Sequence, residues 1–276
     1  MQLYHYCSIP TALSILSNRS IRLSSLAHSN DSMEGRWTLL RIQELLTEKR
    51  LPKADISPTI EGLEYLLSRF DALGFCLSEK RDLLSQWRSY ANDGSGFSIG
   101  FSDAFVAYWR NSRTCHQVLY KKKEQDALLR PFISRFIKIA KDGAWRAPAS
   151  LRAQGLGARP PANIDEEQMS HAGAEFAKTG AELLGYLFLM KNPAFEEEIE
   201  WRLLTYVGED VSHLEFHPND KKLVPYTVWR FNDLPTHIQP ITSITLGPKN
   251  ETPIKTVERM LKRFCCSGTK PWTAGN

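Results

Sequence analysis

Three polar side chains, those of His5, Tyr90 and Glu200, stand at points where the sequence predicts regular structure. His5 alternates with its neighbours in a first strand, and Tyr90 offers a ring and a hydroxyl to a flat ligand. Glu200 ends an acidic run and begins a hydrophobic strand, so we expect its carboxylate to be partly desolvated. A histidine, a tyrosine and a desolvated carboxylate could together form a site for such a ligand.

Each of these residues also has a purely structural interpretation. A histidine in a half-buried strand is more often part of the core, and Tyr90 could pack with Trp87 as an ordinary core aromatic. Glu200 could belong to a solvated acidic face, or it could pair with Arg202, which falls on the same face of the strand. The two interpretations can be distinguished in a structure. A functional site requires all three side chains to converge on one cleft, whereas the structural interpretation does not.

The stretch from residue 75 to residue 101 predicts two strands that flank a short helix. Its elements are a strand at 75–78, a helix at 83–90, a turn at 92–96 and a strand at 97–101. Helical spacing puts Trp87 and Tyr90 on one face of that helix. Ser78 and the glycine-rich turn lie close to it in sequence, so this stretch predicts the floor of a binding site.

Hydrophobic periodicity predicts strands and helices in the rest of the chain. Strands are predicted at 3–7, 21–25, 118–120, 200–207, 224–229 and 241–246, and helices at 8–18, 37–49, 60–70, 125–140, 172–190 and 254–264. Ser8 is a candidate N-cap, and Pro52 and Pro58 are expected to break the chain. A flexible loop is predicted at 147–163. The mostly helical segment at about 103–190 predicts an insertion packed on a β core.

The composition is that of a mildly basic chain of 276 residues, with 42% hydrophobic residues and a net charge of +4. This charge permits an anionic ligand or a nucleic acid without indicating either. Five unevenly spaced cysteines indicate free thiols in a reducing compartment. The sequence contains neither a signal peptide nor an apolar run of about 18 residues, so we expect a cytoplasmic protein outside the membrane.

Several common functional motifs are absent from the sequence. Neither GxGxxG nor GxxxxGK[ST] occurs, which excludes the usual dinucleotide and P-loop phosphate sites. HExxH and GxSxG are also missing, which argues against a zinc peptidase and a serine hydrolase. The seven histidines are scattered and no Cys/His spacing fits a structural zinc site, so we expect no bound metal.

Five segments together resemble a known family. They are LYHYCS, LSSLAHSND, FCLSEKRDLLSQWRSYANDGSGFSIGF, EEEIEWRLL and ITSITLGPKN. In this order they resemble the bacterial domain-of-unknown-function family 2971, from Leu3 to about Phe264, with the segment 147–163 outside the resemblance. That family is in turn similar in pattern to ADP-ribosyltransferases of the poly-ADP-ribose-polymerase type. Those enzymes have a histidine in a first strand, a tyrosine in a helix after a serine-bearing strand, and a late glutamate.

The resemblance implies a role for each of the three residues. His5 matches the histidine, Tyr90 the tyrosine and Glu200 the glutamate, with Glu198 and Glu197 as alternative registers. The Trp-Arg pair after the glutamate and the helical insertion depart from the pattern. The resemblance also implies that NAD is bound as a substrate, with these residues as cofactor-binding candidates: His5, Tyr6, Ser24, Ser78, Tyr90, Ser98, Asn30, Asp31 and Arg81.

The chemistry that the resemblance implies is cleavage of the nicotinamide–ribose bond. The transition state carries positive charge on the ribose, which a carboxylate at the 2′-hydroxyl orients and stabilises. No general acid is needed, because the leaving group is already cationic. Tyr90 would stack on the nicotinamide, His5 would hydrogen-bond the adenosine ribose, and Ser78 or Ser98 would hold the carboxamide.

The sequence therefore predicts an α+β protein over residues 1–276, with an ADP-ribosyltransferase-like split antiparallel β core, flanking helices and the insertion. Its predicted activity is transfer of ADP-ribose to a protein or nucleic acid, or hydrolysis of NAD. By analogy, bacterial enzymes of this kind often act as toxins or in phage defence, and the sequence leaves open whether an antitoxin or other regulatory partner restrains the activity. The alternative is a non-catalytic nucleic-acid- or protein-binding module that uses the basic residues 121–123.

Overall fold

The computed structural model of the protein describes residues 1–28, 35–142, 166–208, 210–219, 222–264 and 268–275. The strands are β1 (Leu3–Cys7), β2 (Ser20–Ser25), β3 (Asp71–Ser78), β4 (Phe97–Phe101), β5 (Cys115–Gln117), β6 (Glu200–Val207), β7 (Glu215–Asn219), β8 (Lys222–Arg230), β9 (Ile241–Leu246) and β10 (Lys270–Thr273). The α-helices are α1 (Ile9–Asn18), α2 (Arg36–Glu48), α3 (Lys53–Ser68), α4 (Leu84–Tyr90), α5 (Asp103–Asn111), α6 (Lys122–Lys141), α7 (Glu166–Leu187) and α8 (Ile254–Arg263). Short 3₁₀ turns span Leu26–His28, Pro193–Glu198 and Phe231–Asp233.

The strands form one mixed sheet in the order β10-β9-β4-β1-β3-β2-β8-β7, with β6 added beside β3 and β5 beside β6. The pair β9 and β10 is parallel, whereas the other pairs are antiparallel. Helices cover the sheet, so the α+β class predicted from the sequence is confirmed.

Strand β3 is the centre of this sheet. Along one edge it pairs with β6 over its whole length, from Asp71 opposite Val207 to Ser78 opposite Glu200. The other edge is shared, because β2 pairs with Leu73 and Gly74 while β1 pairs only with Ser78. Among the described strands none pairs with residues 75–77 on that edge. The sheet therefore has an opening between β1 and β2.

Two hydrophobic cores lie on opposite faces of β3 and β6. Phe75 and Leu203 point into the first core, with residues of α1, α5 and α8. Ala72 and Leu204 point into the second, with residues of α2, α3, α6 and α7. The helices α6 and α7 of the predicted insertion thus share one core with α2 and α3, and they hold the second face of the sheet in place.

Most predicted elements occur where the periodicity placed them, with local differences. The helix predicted at 60–70 begins earlier, at Lys53, and contains Pro58. Pro58 is the sixth residue of this helix and lies inside it, at the cost of one main-chain hydrogen bond, so its expected break is wrong, whereas Pro52 is the N-cap at which the helix begins. The strand predicted at 118–120 is instead β5 at 115–117, because Cys115 and its neighbours pair with β6. The predicted loop at 147–163 lies outside the described residues.

Ser8 and the turn after α4 form as the sequence predicts. The Ser8 hydroxyl accepts a hydrogen bond from the Thr11 amide and caps α1. In the turn, Gly94 has a φ of 87°, in the region that favours glycine. No helix in the described ranges combines the length and the apolar character that crossing a membrane requires.

Candidate functional site

His5 lies in the opening between β1 and β2. Its Nδ1 is 2.8 Å from the main-chain oxygen of Cys76, in the part of β3 that pairs with β6 on one edge and with no described strand on the other. Since a carbonyl only accepts, Nδ1 carries the proton and Nε2 of the neutral ring is an acceptor. Burial lowers the pKa of His5 to about 4, so the ring is neutral at pH 7. It stacks on Phe75, with ring centroids 4.1 Å apart.

Tyr90 is the last residue of α4 and is 38% exposed. The helix is fixed through Trp87, which is buried against Tyr6 with ring centroids 4.7 Å apart. Trp87 also donates from Nε1 to Asp82 over 2.6 Å, and Asp82 accepts a second bond from the Gly275 amide. The helix therefore has one aromatic in the core and one at the surface, which confirms the core interpretation for Trp87 only.

Two glutamates reach the same region from the start of β6. The 3₁₀ turn Pro193–Glu198 is capped by Ile199, whose φ of 41° is in the left-handed region. This turn leaves Glu198 and Glu200 both buried, at 7% and 6% exposure, whereas Glu197 is exposed. The alternatives for the late glutamate are thereby reduced to Glu198 and Glu200.

The two carboxylates form a buried ion-pair cluster with Lys191 and Arg202. Arg202 donates to Glu200 from Nε over 2.8 Å and from Nη2 over 2.9 Å, so the ion pair expected from the sequence is present. Lys191 Nζ lies 2.7 Å from Glu198 Oε2 and 3.4 Å from Glu200 Oε2. No donor among the described residues bonds Oε1 of Glu198, so this carboxylate has a free acceptor.

The cluster gives the two carboxylates different proton affinities. Burial alone would raise the pKa of Glu200, but Arg202 and Lys191 outweigh it and hold this pKa at about 2. For Glu198 burial outweighs Lys191, so its pKa is raised. Burial lowers the pKa of Lys191, but the carboxylate of Glu200 and its other neighbours raise it above its ordinary value. At pH 7 the cluster therefore contains a fixed anion at Glu200 and a more basic carboxylate at Glu198.

His5, Tyr90 and Glu200 line one cavity of about 30 Å³, enough space for a water molecule or two. The complete lining is His5, Tyr6, Cys76, Leu77, Gln86, Tyr90, Glu198 and Glu200. These residues come from β1, β3, α4 and the start of β6. The structure thus brings together three side chains that are far apart in the sequence, together with Glu198.

A larger groove of about 510 Å³ lies next to this cavity and shares His5, Cys76 and Tyr90 with it. Its size is within the range of small-molecule sites. Its walls come from α1, β2, β3 and the β7–β8 pair. The groove thus follows the opening between β1 and β2 and meets the carboxylates at one end.

The other predicted cofactor-binding residues divide into three groups. Ser24 lines the groove and Tyr6 the small cavity, where the Tyr6 hydroxyl bonds the main chain at Lys80 and Leu83 before α4. Asn30 and Asp31 lie outside the described residues.

The third group, Ser78, Ser98 and Arg81, lines neither space, which corrects the expectation from the sequence. Ser78 is buried and donates to the Glu198 carbonyl over 2.7 Å, so its hydroxyl holds the turn before β6. Ser98 is fully buried in the sheet, and the Arg81 guanidinium lies over Trp272 at 4.9 Å. Sequence spacing shows which residues of a strand share a face, but not which face points into the site.

Sequence reasoning missed several residues of the site. Lys191 is brought to the glutamates by main-chain bonds from Leu119 to Leu189 and Lys191, just after α7, a long-range contact with no local signal. Gln86 and Cys76 line the cavity between predicted residues. Arg22 lines the groove, and here a signal existed, because Ser20, Arg22 and Ser24 alternate along one face of a predicted strand.

The basic residues 121–123 lie elsewhere on the surface. Lys121 is 3.8 Å from Glu196 and Lys122 is 3.7 Å from Glu44, and all four side chains are exposed by more than half. Two of the three lysines therefore face surface carboxylates and are solvated. The positive charge on which the binding-module alternative depends is partly compensated at this place.

Fold and site together define an α+β protein with a buried glutamate–lysine–arginine cluster at an opening in its sheet. Residues 86–203 match the model of the family described as Protein of unknown function (DUF2971). The family resemblance is thus confirmed over this range, which contains Tyr90, Glu198 and Glu200. No curated protein matches the chain, and neither does any solved structure.

Proposed function

We propose that the protein is an NAD-dependent ADP-ribosyltransferase or NAD glycohydrolase that acts at the opening between β1 and β2. The observation that carries this proposal is the convergence of His5, Tyr90 and the Glu198–Glu200 pair on one cavity beside a groove of ligand size. The interruption of the sheet between β1 and β2 is consistent with the split β core of such enzymes.

The small cavity cannot hold a nicotinamide ring, so NAD would lie in the groove with its ribose hydroxyls directed at the carboxylates. Tyr90 is exposed at the junction of cavity and groove, where its ring would stack on the nicotinamide. His5 would accept a hydrogen bond from a ribose hydroxyl at Nε2. The free Oε1 of Glu198 would accept one from the 2′-hydroxyl, while Glu200 supplies a fixed negative charge.

The reaction breaks the bond between ribose C1′ and the nicotinamide nitrogen. The bonding electrons leave with nicotinamide, which becomes neutral, and positive charge spreads over C1′ and the ring oxygen. Glu198 and Glu200 would stabilise this charge in a site with little water. A nucleophile on the acceptor, or water, then bonds C1′ and loses its proton.

The test is nicotinamide release from NAD, with and without a cell extract as the source of acceptor. We expect Glu198→Gln and Glu200→Gln each to reduce the rate by about 100-fold or more. Glu197→Gln is the matched control, because it removes a charge from the same run at an exposed position. Label from adenine-labelled NAD found on macromolecules would identify a transferase, and free ADP-ribose alone a hydrolase.

Thermal melting of each variant would accompany the assay, since Glu200 also neutralises Arg202. The proposal fails if the wild-type protein releases no nicotinamide above background with any extract. It also fails if folded Glu198→Gln and Glu200→Gln variants both match the wild-type rate.

A further inference from the structure

The groove has the composition of an anion-binding site. Its described lining contains one arginine, two histidines, five serine or threonine side chains and Tyr90, and none of these described residues is acidic. Both glutamates of the site lie at the cavity end instead. A negatively charged ligand would therefore meet hydroxyl donors and a cation along the groove without carboxylate repulsion.

Arg22 is the cation in this lining, and its guanidinium is held in place by an aromatic ring. It lies on β2 opposite Val228 of β8, and its Cζ is 4.7 Å from the centre of the Tyr226 ring. The Tyr226 hydroxyl donates to Glu215 over 2.7 Å, which fixes the ring beneath it. A guanidinium stacked in this way is pre-organised to present its N–H groups to an anion.

Arg22 also differs from the other cations near the site, because no carboxylate of the described residues pairs with it. Lys191 and Arg202 are neutralised by Glu198 and Glu200. Within the described part of the chain, no acidic side chain comes within ion-pair distance of Arg22. Its charge is therefore available to a ligand in the groove.

We propose that Arg22 binds the diphosphate of the dinucleotide and so fixes the direction in which the ligand lies. The diphosphate would cross β2 at Arg22, flanked by the hydroxyls of Ser20 and Ser24, which share its strand face. The nicotinamide end would then extend past His5 to Tyr90 and the carboxylates. This inference rests on the proposed function, to which it adds the phosphate subsite.

Calorimetric titration with three probes tests the subsite directly. ADP-ribose and inorganic pyrophosphate contain the diphosphate, whereas nicotinamide riboside does not. Arg22→Gln should weaken ADP-ribose and pyrophosphate binding by about 10- to 100-fold, as expected for losing charge-assisted hydrogen bonds. The same variant should leave binding of nicotinamide riboside within about twofold.

Arg230→Gln is the matched control, because Arg230 lies opposite Ser20, is exposed and is not part of the groove lining. Arg22→Lys keeps the charge but loses the planar fork, so its affinity for ADP-ribose should lie between those of wild type and Arg22→Gln. Arg22 is exposed, and an unchanged melting temperature would show that the variants fold.

Each other outcome overturns the inference. It is wrong if wild type binds neither ADP-ribose nor pyrophosphate, if Arg22→Gln binds ADP-ribose normally, or if Arg230→Gln is equally weakened. It is also wrong if Arg22→Gln loses all three probes alike.

Its failure is distinguishable from failure of the proposed function. Nicotinamide release with an unchanged KM for NAD in Arg22→Gln would refute the subsite alone. Arg22-dependent binding of ADP-ribose without any nicotinamide release would refute the enzyme alone.

Discussion

Glu198 and Glu200 are two residues apart, yet their surroundings differ. Both oxygens of Glu200 accept bonds from Arg202, whereas Glu198 is bonded only through Oε2 to Lys191 among the described residues. Separate environments of this kind give chemically identical groups different roles. Glu200, the glutamate predicted from the sequence, is thus the more constrained of the two, and Glu198 has the free oxygen.

Arg202 should be essential for stability, because it neutralises a buried carboxylate. We predict that Arg202→Met lowers the free energy of unfolding by about 3–5 kcal/mol, the cost of leaving a buried charge without its partner. Urea denaturation at pH 7 measures this. Arg135→Met is the control, since Arg135 pairs with Glu182 at the surface and its loss should cost less than about 1 kcal/mol. An equal cost for both variants would contradict the prediction.

The positions of individual side chains could be predicted where the local sequence pattern is strong. The alternation in residues 3–7 put His5 on an inward face, and the shared face of Glu200 and Arg202 predicted their ion pair. Lys191 could not be predicted, because it reaches the glutamates only through main-chain bonds that the segment after α7 makes with Leu119. Ser78 and Ser98 were predicted to line the site, but both are buried elsewhere in the sheet. Which groups surround a serine on a strand depends on how the strands pair, and the sequence does not give that pairing.

At the scale of elements, the turn between α4 and β4 joins the helix that carries Tyr90 to the sheet. The Gly96 amide donates to the Ala91 carbonyl over 2.8 Å, and the Gly247 amide donates to the Gly96 carbonyl over 3.0 Å. The turn is therefore held both to α4 and to the residues after β9. The glycines and the asparagine in residues 92–96 allowed this turn to be predicted, but not its contact with β9.

Gly96 is a position where a side chain cannot be accommodated. A Cβ there would lie 2.1 Å from the main-chain oxygen of Cys7. We predict that Gly96→Ala destabilises the protein by about 2 kcal/mol or more, in the range of overpacking in a dense core. Gly173→Ala is the control, because nothing lies within 4 Å of its Cβ in α7, and alanine favours a helix there by about 0.5–1 kcal/mol. Thermal or urea unfolding of both variants measures the difference in stability. A Gly96→Ala variant as stable as wild type would refute the close approach between Gly96 and Cys7.

For the whole molecule, two buried groups with lowered pKa values, His5 and Glu200, make stability depend on pH. His5 has a pKa of about 4 when folded against 6.5 ordinarily, and Glu200 about 2 against 4.5. For both, the unfolded chain binds protons more readily, so their stabilisation is complete above the ordinary pKa and is lost as pH falls. Glu198 acts in the opposite direction, since its pKa is raised.

We therefore predict a fall in the free energy of unfolding in two ranges, from about pH 6.5 to 4 for His5 and from about pH 4.5 to 2 for Glu200. Urea titrations across this range measure the fall. His5→Gln should flatten the upper range and Glu200→Gln the lower one. A wild-type profile that is flat between pH 6.5 and 2, or variants with unchanged slopes, would contradict the assignment.

The general architecture of the molecule followed from its sequence, because alternating and helical periodicities are local. The order of the strands did not, since the position of β6 beside β3 joins residues more than a hundred apart. The groove also depends on this order. Arg22 and His5 lie on different strands, and they border one space only because β1 and β2 share a single edge of β3.

The opening beside residues 75–77 also has a mechanical consequence. Where β1 and β2 both leave β3, the main-chain bonds that stiffen a sheet are missing on one side. Among the described strands, β2, β8 and β7 pair with β3 only through Leu73 and Gly74, so a twist of these three strands about β3 would strain few hydrogen bonds of the sheet. The sheet therefore has the fewest main-chain bonds beside its own central strand, and Ile21 and Leu23 of β2, which pack in the first core with Phe75, are what hold the two sides of the groove together there.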